Sequence, residues 1–431
     1  MRLFSSRSLG LLLLGIWLGG CSTQIAEQHL ANALQYRANG DDDAAIVELQ
    51  SALQKDSELQ SARAELANQL FAAGDYDAAQ GEFRRALAPV QGRPALAASV
   101  LADLREGQHL AAIRLQQAAD VIAELSVLES IAPRDRAVLG LARLALDDVD
   151  LARQEFSTAL AQDPELAYAN FGAGRVFWID GEFSRAWPLL IKAGQLAPRD
   201  PHLLLVQGEF ALEQNNMVDA REAFSAARAL PGKDVPARLG MARVLIFERD
   251  LVAATTEIDG VLAVVPDYVP ALYLAALVAY ERGDYIAAEI SLREVQSLQA
   301  DYTAALYLMG AVQFQLQNYA QAELNLNRYL EAQPGNVSAR KLSAAVFLQR
   351  EDYAGVINAL EPVVDAQNDA QLLLMLGAAY AVTNRLSQAS VLLDRAVELA
   401  PDLGDIGQLR NHLRVLRGEL HSQPAPSLLQ R

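Results

Sequence analysis

Apolar residues recur at helical spacing along almost the whole chain, in short blocks separated by polar turns. Within one block, Ala288 and Leu292 stand four positions apart, which places both on one face of a helix. Short segments such as Gly181-Glu182-Phe183 and Gly283-Asp284-Tyr285 interrupt the blocks. The pattern predicts an all-α chain made of helix pairs joined by tight turns.

The helix pairs repeat with a period of 34 residues, and prolines mark this period. Pro164 and Pro198 are 34 residues apart, and Pro266 and Pro334 follow at intervals of 68 residues. Pro401 falls one residue short of the next such interval. A 34-residue period is typical of tetratricopeptide (TPR) helix pairs. The chain is therefore expected to form a right-handed TPR superhelical solenoid of about eleven helix pairs with a C-terminal capping helix.

Small residues recur in each repeat at the positions where two helices cross closely. At position eight, in the first helix, the repeats carry glycine at Gly140, Gly174, Gly208, Gly310 and Gly377. At position twenty, in the second helix, they carry alanine at Ala152, Ala186, Ala220, Ala254, Ala288, Ala322 and Ala389. A larger apolar residue follows four positions later, at Phe156, Leu190, Phe224, Ile258, Leu292, Leu326 and Leu393. These positions are predicted to form the core.

The first twenty residues have the pattern of a secretory signal peptide. Arg2 and Arg7 give a basic start, and residues 9–18 form an apolar run. Because a helix needs about twenty apolar residues to cross a membrane, this run predicts a cleaved signal peptide instead. The following Leu18-Gly19-Gly20-Cys21 resembles the bacterial lipobox, whose cysteine is diacylated and becomes the new N-terminus. An ordinary signal peptide with a chance cysteine is the alternative.

Cys21 is the only cysteine of the chain and is the predicted lipidation site. Several acyl chains, palmitate among them, exceed the threshold for stable membrane anchoring. The predicted location is therefore the bacterial cell envelope, with the chain lipid-anchored and facing the periplasm. Ser22 follows the cysteine where retention in the inner membrane usually requires Asp, and this favours the outer membrane.

The repeat register and the N-terminal pattern together predict the domain layout. The irregular part, 94–132, lacks the aromatic anchors but keeps apolar residues at helical spacing, so a degenerate helix pair is favoured over a linker. The predicted segments are a lipoprotein signal peptide (1–20), a lipidated N-terminus with TPR repeats 1 and 2 (21–93), an irregular helical pair (94–132), TPR repeats (133–402), a capping helix (403–418) and a flexible tail (419–431).

Composition and charge narrow the possible partners. The chain is 52% hydrophobic and carries 36 basic and 53 acidic residues, and removal of Arg2 and Arg7 would leave 34 basic residues. Such an acidic surface repels nucleic acid, so nucleic acid is excluded as a partner.

No catalytic pattern stands out in the sequence. The five histidines, His29, His109, His202, His412 and His421, are scattered and form no metal-binding pair. There is no phosphate-binding glycine loop and no Gly-x-Ser-x-Gly motif. We therefore expect no catalytic residues, no metal, no cofactor and no enzymatic activity.

Several segments resemble one family in particular, the TPR-repeat lipoproteins associated with PEP-CTERM and exosortase systems. The similar segments are AAIVELQSAL ending at Leu53, ARAELANQLFAAGDYDAAQGEFRRAL from Ala62 to Leu87, ALYLAALVAYERGDYIAAE and LNRYLEAQPGNVSARKLSAAVFLQRED. Family members usually carry many more repeats than this chain. The resemblance implies a part in exopolysaccharide biosynthesis or export and in the sorting of PEP-CTERM proteins.

Ligand binding is expected on the concave face of the solenoid, here called the inner face, which the first helices line at positions two, five, nine and twelve. The Lys and Asn residues that clamp a C-terminal carboxylate in chaperone-binding TPR proteins are absent, since only Lys341 fits such a position. Aromatic and basic residues occupy these positions instead. They are Tyr168, Phe171, Arg175, Trp178, Arg243, Tyr273, Tyr280, Tyr307 and Phe314.

Two interpretations of these aromatic residues remain open. They form a binding strip for an extended peptide or a polysaccharide, or they fill the space between neighbouring helices. The function favoured by the sequence is a non-enzymatic, membrane-anchored TPR scaffold that mediates protein–protein interactions with envelope proteins of an export machine. The alternative is an assembly lipoprotein for pilus, secretin or outer-membrane protein complexes.

Overall fold

The chain is all-helical over the residues that its computed structural model describes. These are residues 8–91, 93, 95–230, 235–365 and 368–400, with side chains from residue 23 onward. They form 22 α-helices and one short 3₁₀ helix, and this part of the chain contains no strand. The α-helices follow one another as eleven successive pairs, which confirms the expected TPR fold. The predicted capping helix (403–418) and tail (419–431) lie outside the described residues.

Contacts divide the chain into two compact units, Met1–Glu248 and Arg249–Arg431. In the first unit the helices are α1 (Ser8–Ala38), α2 (Asp42–Lys55), α3 (Gln60–Ala72), α4 (Tyr76–Leu87), α5 (Ala98–Arg114), α6 (Ala118–Ser126), α7 (Pro133–Ala145), α8 (Val149–Gln162), α9 (Ala167–Ile179), α10 (Phe183–Leu196), α11 (Pro201–Glu213), α12 (Met217–Arg228) and α13 (Val235–Phe247).

The second unit continues the same succession of helices. It contains α14 (Leu251–Leu262), α15 (Val269–Glu281), α16 (Tyr285–Leu298), α17 (Thr303–Gln315), α18 (Tyr319–Ala332), α19 (Val337–Gln349), α20 (Tyr353–Leu360), the 3₁₀ helix Glu361–Val363, α21 (Ala370–Val382) and α22 (Leu386–Leu399). Several apolar clusters along each unit form its core.

The turn inside each helix pair has a repeated local structure. One residue per turn adopts a left-handed backbone, which is Gly74 in one pair and Gly283 in another, with φ angles of 77° and 79°. In six of these turns the side chain of the next residue caps the second helix, as Asp284 does by accepting a hydrogen bond from the Ala287 backbone N–H at 3.0 Å. Glycine suits the left-handed residue because it lacks a Cβ, and a carboxylate suits the cap because it satisfies a free backbone N–H.

The predicted core positions are confirmed. The alanines at position twenty are 0% exposed, and the larger residues four positions later are at most 1% exposed. Each position-eight glycine packs against the larger residue of its own repeat. A Cβ built on Gly208, for example, would lie 2.5 Å from Cε1 of Phe224. The two helices of a pair therefore cross at a distance that only a small residue allows.

The N-terminal helix α1 is 31 residues long and includes Cys21. The side chains of residues 8–22 lie outside the described part of the structure, and so does the lipidation predicted at Cys21. From Ala26 onward the helix packs into the first core cluster together with Leu49 and Leu66. Over the stretch that the structure covers, no helix is long and apolar enough to cross a membrane.

The predicted irregular pair contains α5 and α6, which have 17 and 9 residues. Both differ in length from the helices of 12–14 residues that follow them up to α19. The charge of Arg114, the last residue of α5, acts on Arg175 in α9 and on His202 in α11.

Candidate binding surface on the inner face

Phe171 and Tyr168, two residues predicted to line the inner face of the first unit, contact neighbouring residues of the same unit. Phe171 is 1% exposed and belongs to the core, so its expected place on an accessible strip is wrong. The His202 ring packs edge-on against it, with ring centroids 5.5 Å apart. Tyr168 is partly buried, and its hydroxyl donates to Asp200 Oδ2 at 2.8 Å. Burial and the Asp200 charge raise the pKa of Tyr168 well above its usual value.

Trp178 also belongs mainly to an aromatic cluster. Its ring packs edge-on against Phe210, with centroids 5.0 Å apart, and Trp187 stacks on another side of Phe210 at 5.5 Å. The indole Nε1–H of Trp178 donates to Glu213 Oε2 at 2.8 Å. The side chain therefore joins α9 to α11, which matches the interpretation that some of these residues fill the space between neighbouring helices.

Arg243 is exposed, as a ligand contact would require, but it is paired. Its Nη1 lies 2.5 Å from Glu209 Oε2, and both side chains are more than 40% exposed. Since exposed ion pairs are weak, this arginine can exchange its partner for an incoming anion at little cost.

Arg175 has a different environment from Arg243. It is half-buried and lies 5.9 Å from the Phe171 ring centroid. Burial and the nearby Arg114 charge lower the pKa of Arg175. Burial and the charges of Arg114 and Arg175 also hold the pKa of His202 well below its usual value. Three basic side chains from α5, α9 and α11 therefore share one small region.

Sequence reasoning missed Tyr76, Arg114 and Asp200 as neighbours in this region. Burial raises the pKa of Tyr76, and both the Arg114 and Asp200 charges act on it. Nearby, Arg199 Nη2 lies 3.0 Å from Asp42 Oδ1, although 157 residues separate them along the chain. The N-terminal helix pairs of the first unit thus reach the turn before α11. No local sequence pattern predicts a contact between residues so far apart in the chain.

Glu106 is a further titratable group of this region. Burial, opposed by the Arg134 charge and assisted by the Asp103 and Asp135 charges, raises its pKa to about 7. Its carboxylate lies 3.8 Å from Arg134 Nη1. The Glu106 charge also acts on Tyr168, which places it beside the basic region.

In the second unit, the predicted residues Tyr273, Tyr280 and Tyr307 gather with two further tyrosines. Tyr273 packs against Tyr302 with ring centroids 5.6 Å apart, and Tyr307 packs against Tyr329 at 5.4 Å. Burial and neighbouring tyrosines raise the pKa of both Tyr273 and Tyr307, and Tyr280 is among the neighbours of Tyr307.

We call these five residues the tyrosine cluster. Its members Tyr273, Tyr280 and Tyr307 are neither exposed nor fully buried. Phe314 is also half-buried and packs against Tyr319 at 5.9 Å. The cluster therefore offers partly accessible rings and phenolic hydroxyls, which suit both stacking and hydrogen bonding.

Among the residues that the structure describes, no group of three or more His, Cys, Asp or Glu side chains is arranged to hold a metal ion.

Comparison with protein families identifies the class of the repeats. The tetratricopeptide repeat family model matches residues 138–195 and 188–234. Residues 138–234 thus carry tetratricopeptide repeats, a class that stacks helix pairs into extended binding surfaces and generally acts as a non-catalytic scaffold for protein–protein interaction. A search of curated protein sequences gives no match.

Solved structures with a similar arrangement come from varied settings. Yeast Tom70 is 13% identical with a TM-score of 0.45, and the match covers 92% of this chain and 90% of Tom70. PilW, a type IV pilus biogenesis factor, is 17% identical with a TM-score of 0.44, covering 49% of this chain and 97% of PilW. YrrB, a TPR protein with an unusual peptide-binding site, is 20% identical with a TM-score of 0.36, covering 44% and 95%. We draw no functional conclusion from likeness at this level.

Proposed function

We propose that the chain is a non-enzymatic, membrane-anchored TPR scaffold that holds protein partners together in exopolysaccharide biosynthesis or export and in the linked sorting of PEP-CTERM proteins. The observation that carries the proposal is the ordered set of segments that resemble the exosortase-associated TPR lipoproteins. Residues 62–87 of this set fall on α3 and α4, and residues 271–289 run from α15 into α16.

The anchoring part of the proposal depends on Cys21. Cys21→Ser is expected to abolish the incorporation of radiolabelled palmitate in cells and to leave the chain unprocessed or released from the membrane. Equal labelling of the variant and the parent chain would exclude lipidation at this residue.

The binding part of the proposal depends on the tyrosine cluster. Its half-buried rings can lose their remaining water to a partner, as central interface residues do. Because Tyr280 and Tyr307 belong to α15 and α17, they belong to neighbouring repeats and would contact successive parts of one extended ligand.

Capture of partners by the full chain tests the proposal. The chain is purified from the detergent-solubilised envelope of its own bacterium, beside a Tyr280→Ala/Tyr307→Ala variant and an Ile286→Ala control, whose side chain is 65% exposed. We expect exosortase or polysaccharide-export proteins to co-purify with the parent chain and the control but not with the tyrosine variant. Recovery of pilus or secretin components instead would overturn the assignment to this pathway.

A further inference from the structure

Two arginines and a histidine of the first unit lie around Phe171 in one region and have no carboxylate partner there. Arg114 ends α5, Arg175 lies in α9 and His202 lies in the first turn of α11. The Nε and Nη2 atoms of Arg114 and the Nε2 atom of His202 are buried and make no hydrogen bond. Leaving polar groups buried without partners costs free energy, so native proteins usually satisfy them.

Other arginines of the same unit are paired with a carboxylate. Arg63 lies 2.6 Å from Glu82, Arg136 lies 3.0 Å from Glu155 and Arg153 lies 2.6 Å from Asp180. Over the described residues, Arg114 and Arg175 have no such ion pair. Unlike exposed arginines, which water can solvate, Arg114 and Arg175 are partly buried, and a bound anion would explain two neighbouring arginines of this kind without a carboxylate.

We propose that Arg114, Arg175 and His202 form a binding site for the carboxylate of a ligand. Both guanidinium groups can donate to carboxylate oxygens, and the His202 imidazole can present an N–H at Nε2. The bound anion would also relieve the repulsion between the two arginine charges.

The acidic groups around the site determine the charge of its ligand. Asp200 accepts hydrogen bonds from the Tyr168 hydroxyl at 2.8 Å and from the His202 backbone N–H at 2.9 Å, so neutral donors already hold it. Glu106 lies beside Arg134. The two arginine charges exceed the Asp200 charge by one, and Glu106 reduces this excess further above pH 7, so a singly charged carboxylate suits the site better than a doubly charged phosphate.

The site deepens the proposed scaffold function, because it rests on the inner face of the first unit being a ligand-binding face. The two proposals nevertheless fail separately. The carboxylate site is tested with small anions on purified protein, whereas the scaffold proposal is tested by partner capture through the second unit.

The test follows the thermal unfolding of the full chain in detergent at pH 7.5. Sodium acetate, sodium N-acetylglycinate and sodium phosphate are titrated against sodium chloride at equal ionic strength. We expect both carboxylates to raise the melting temperature in a saturable manner. Arg114→Gln and Arg175→Gln should each raise the half-saturating concentration at least fivefold, whereas Arg153→Gln, at an exposed ion pair, should leave it unchanged.

The relative affinities of acetate and N-acetylglycinate distinguish a peptide carboxylate from a small free carboxylate as the ligand. Tighter binding of N-acetylglycinate than of acetate indicates a carboxylate attached to a peptide, and equal binding indicates a small free carboxylate. If Arg114→Gln fails to fold, Arg175→Gln and His202→Gln carry the test. Saturation by phosphate at lower concentration than by either carboxylate, or no saturable effect of either carboxylate, would overturn the proposal.

Discussion

At the scale of single residues, the closest contacts of the fold place an aromatic ring between two glycines. Phe156 packs against Gly140 of its own repeat and Gly172 of the next, and a Cβ added to either glycine would overlap its ring. In four other repeats a smaller aliphatic residue replaces the phenylalanine, and the next repeat then has a larger residue in place of the glycine. These combinations are Leu190 with Val206, Ile258 with Leu274, Leu292 with Leu308 and Leu326 with Leu342.

This complementarity predicts a compensating pair of substitutions. Gly172→Leu should lower the free energy of unfolding by about 3 kcal/mol, because a close-packed contact has no room for the added side chain. Adding Phe156→Leu should recover at least half of this loss, since the pair then matches the Leu292 and Leu308 combination. Urea denaturation measures both values. Gly81→Ala is the control, because nothing lies within 4 Å of its added Cβ.

An equal or larger loss in the double variant would show that the two positions are independent and would contradict the complementarity. The period of 34 residues was enough to predict the position-eight and position-twenty contacts from the sequence. It did not predict the contact with the following repeat, because this contact depends on how neighbouring pairs stack.

Glu106 predicts a pH dependence of stability. Its pKa is about 7 in the folded chain and close to 4.5 in the unfolded chain, so the folded chain binds this proton more tightly. The resulting stabilisation is complete below about pH 4.5 and is lost as the pH rises through 7. Glu106→Gln, which stays neutral, should therefore be more stable than the parent chain at pH 8.5, by up to about 3 kcal/mol.

Urea denaturation at pH 8.5 and pH 5.5 measures this effect, and the advantage of Glu106→Gln should shrink at the lower pH. Arg134, Asp103 and Asp135 remain in place in the variant, so they are constant between the two conditions. A constant difference at both pH values would mean that the Glu106 pKa is not raised by folding.

At the scale of elements, each turn within a helix pair depends on one left-handed residue. The sequence predicted the turns from glycine at some of these positions, such as Gly181 and Gly283. It could not indicate the others, because Asp147, Asn215, Gln317 and other residues adopt the same backbone, with φ angles of 64°, 55° and 61° for these three. Tertiary packing of the two helices imposes the turn, and the residue type is secondary.

Two glycines allow the backbone effect to be measured alone. Gly283 and Gly335 both have open space around an added Cβ, but only Gly283 has a positive φ angle. Gly283→Ala should cost about 1 kcal/mol of unfolding free energy, since alanine is disfavoured in the left-handed region. Gly335→Ala should be neutral or stabilising by up to about 1 kcal/mol. Similar melting temperatures of the two variants would contradict the role of the left-handed turn.

The binding surface was harder to predict than the helices. Phe171 and Trp178 stand at positions five and twelve of α9, where the register predicts an accessible inner face. His202 and Phe210 from α11 cover them in the structure. The repeat register predicts the direction in which a side chain points. It does not predict whether a residue of a neighbouring helix covers that side chain.

At the scale of the whole molecule, the first unit contains contacts that a simple linear array lacks. In such an array each repeat touches only its neighbours. The ion pair of Arg199 with Asp42 instead joins the beginning of α2 to the turn before α11, and the Asp42 side chain is 4% exposed. This contact has no counterpart in the 34-residue period.

A double-mutant cycle tests whether this contact stabilises the first unit. Asp42→Asn, Arg199→Gln and the double variant are compared by urea denaturation. We expect a coupling energy of about 0.5–1.5 kcal/mol, larger than that of a fully exposed pair because Asp42 is buried. Additive effects of the two substitutions would show that the N-terminal pairs contribute no stability through this ion pair.

We propose above that the tyrosine cluster of the second unit binds a protein partner. A photo-crosslinking amino acid placed at Tyr307 in living cells tests it most directly, with Leu324, which is 55% exposed on α18, as the matched position outside the cluster. We expect a discrete crosslinked protein from position 307 and none from position 324. Crosslinks only from position 324, or none from either, would contradict it.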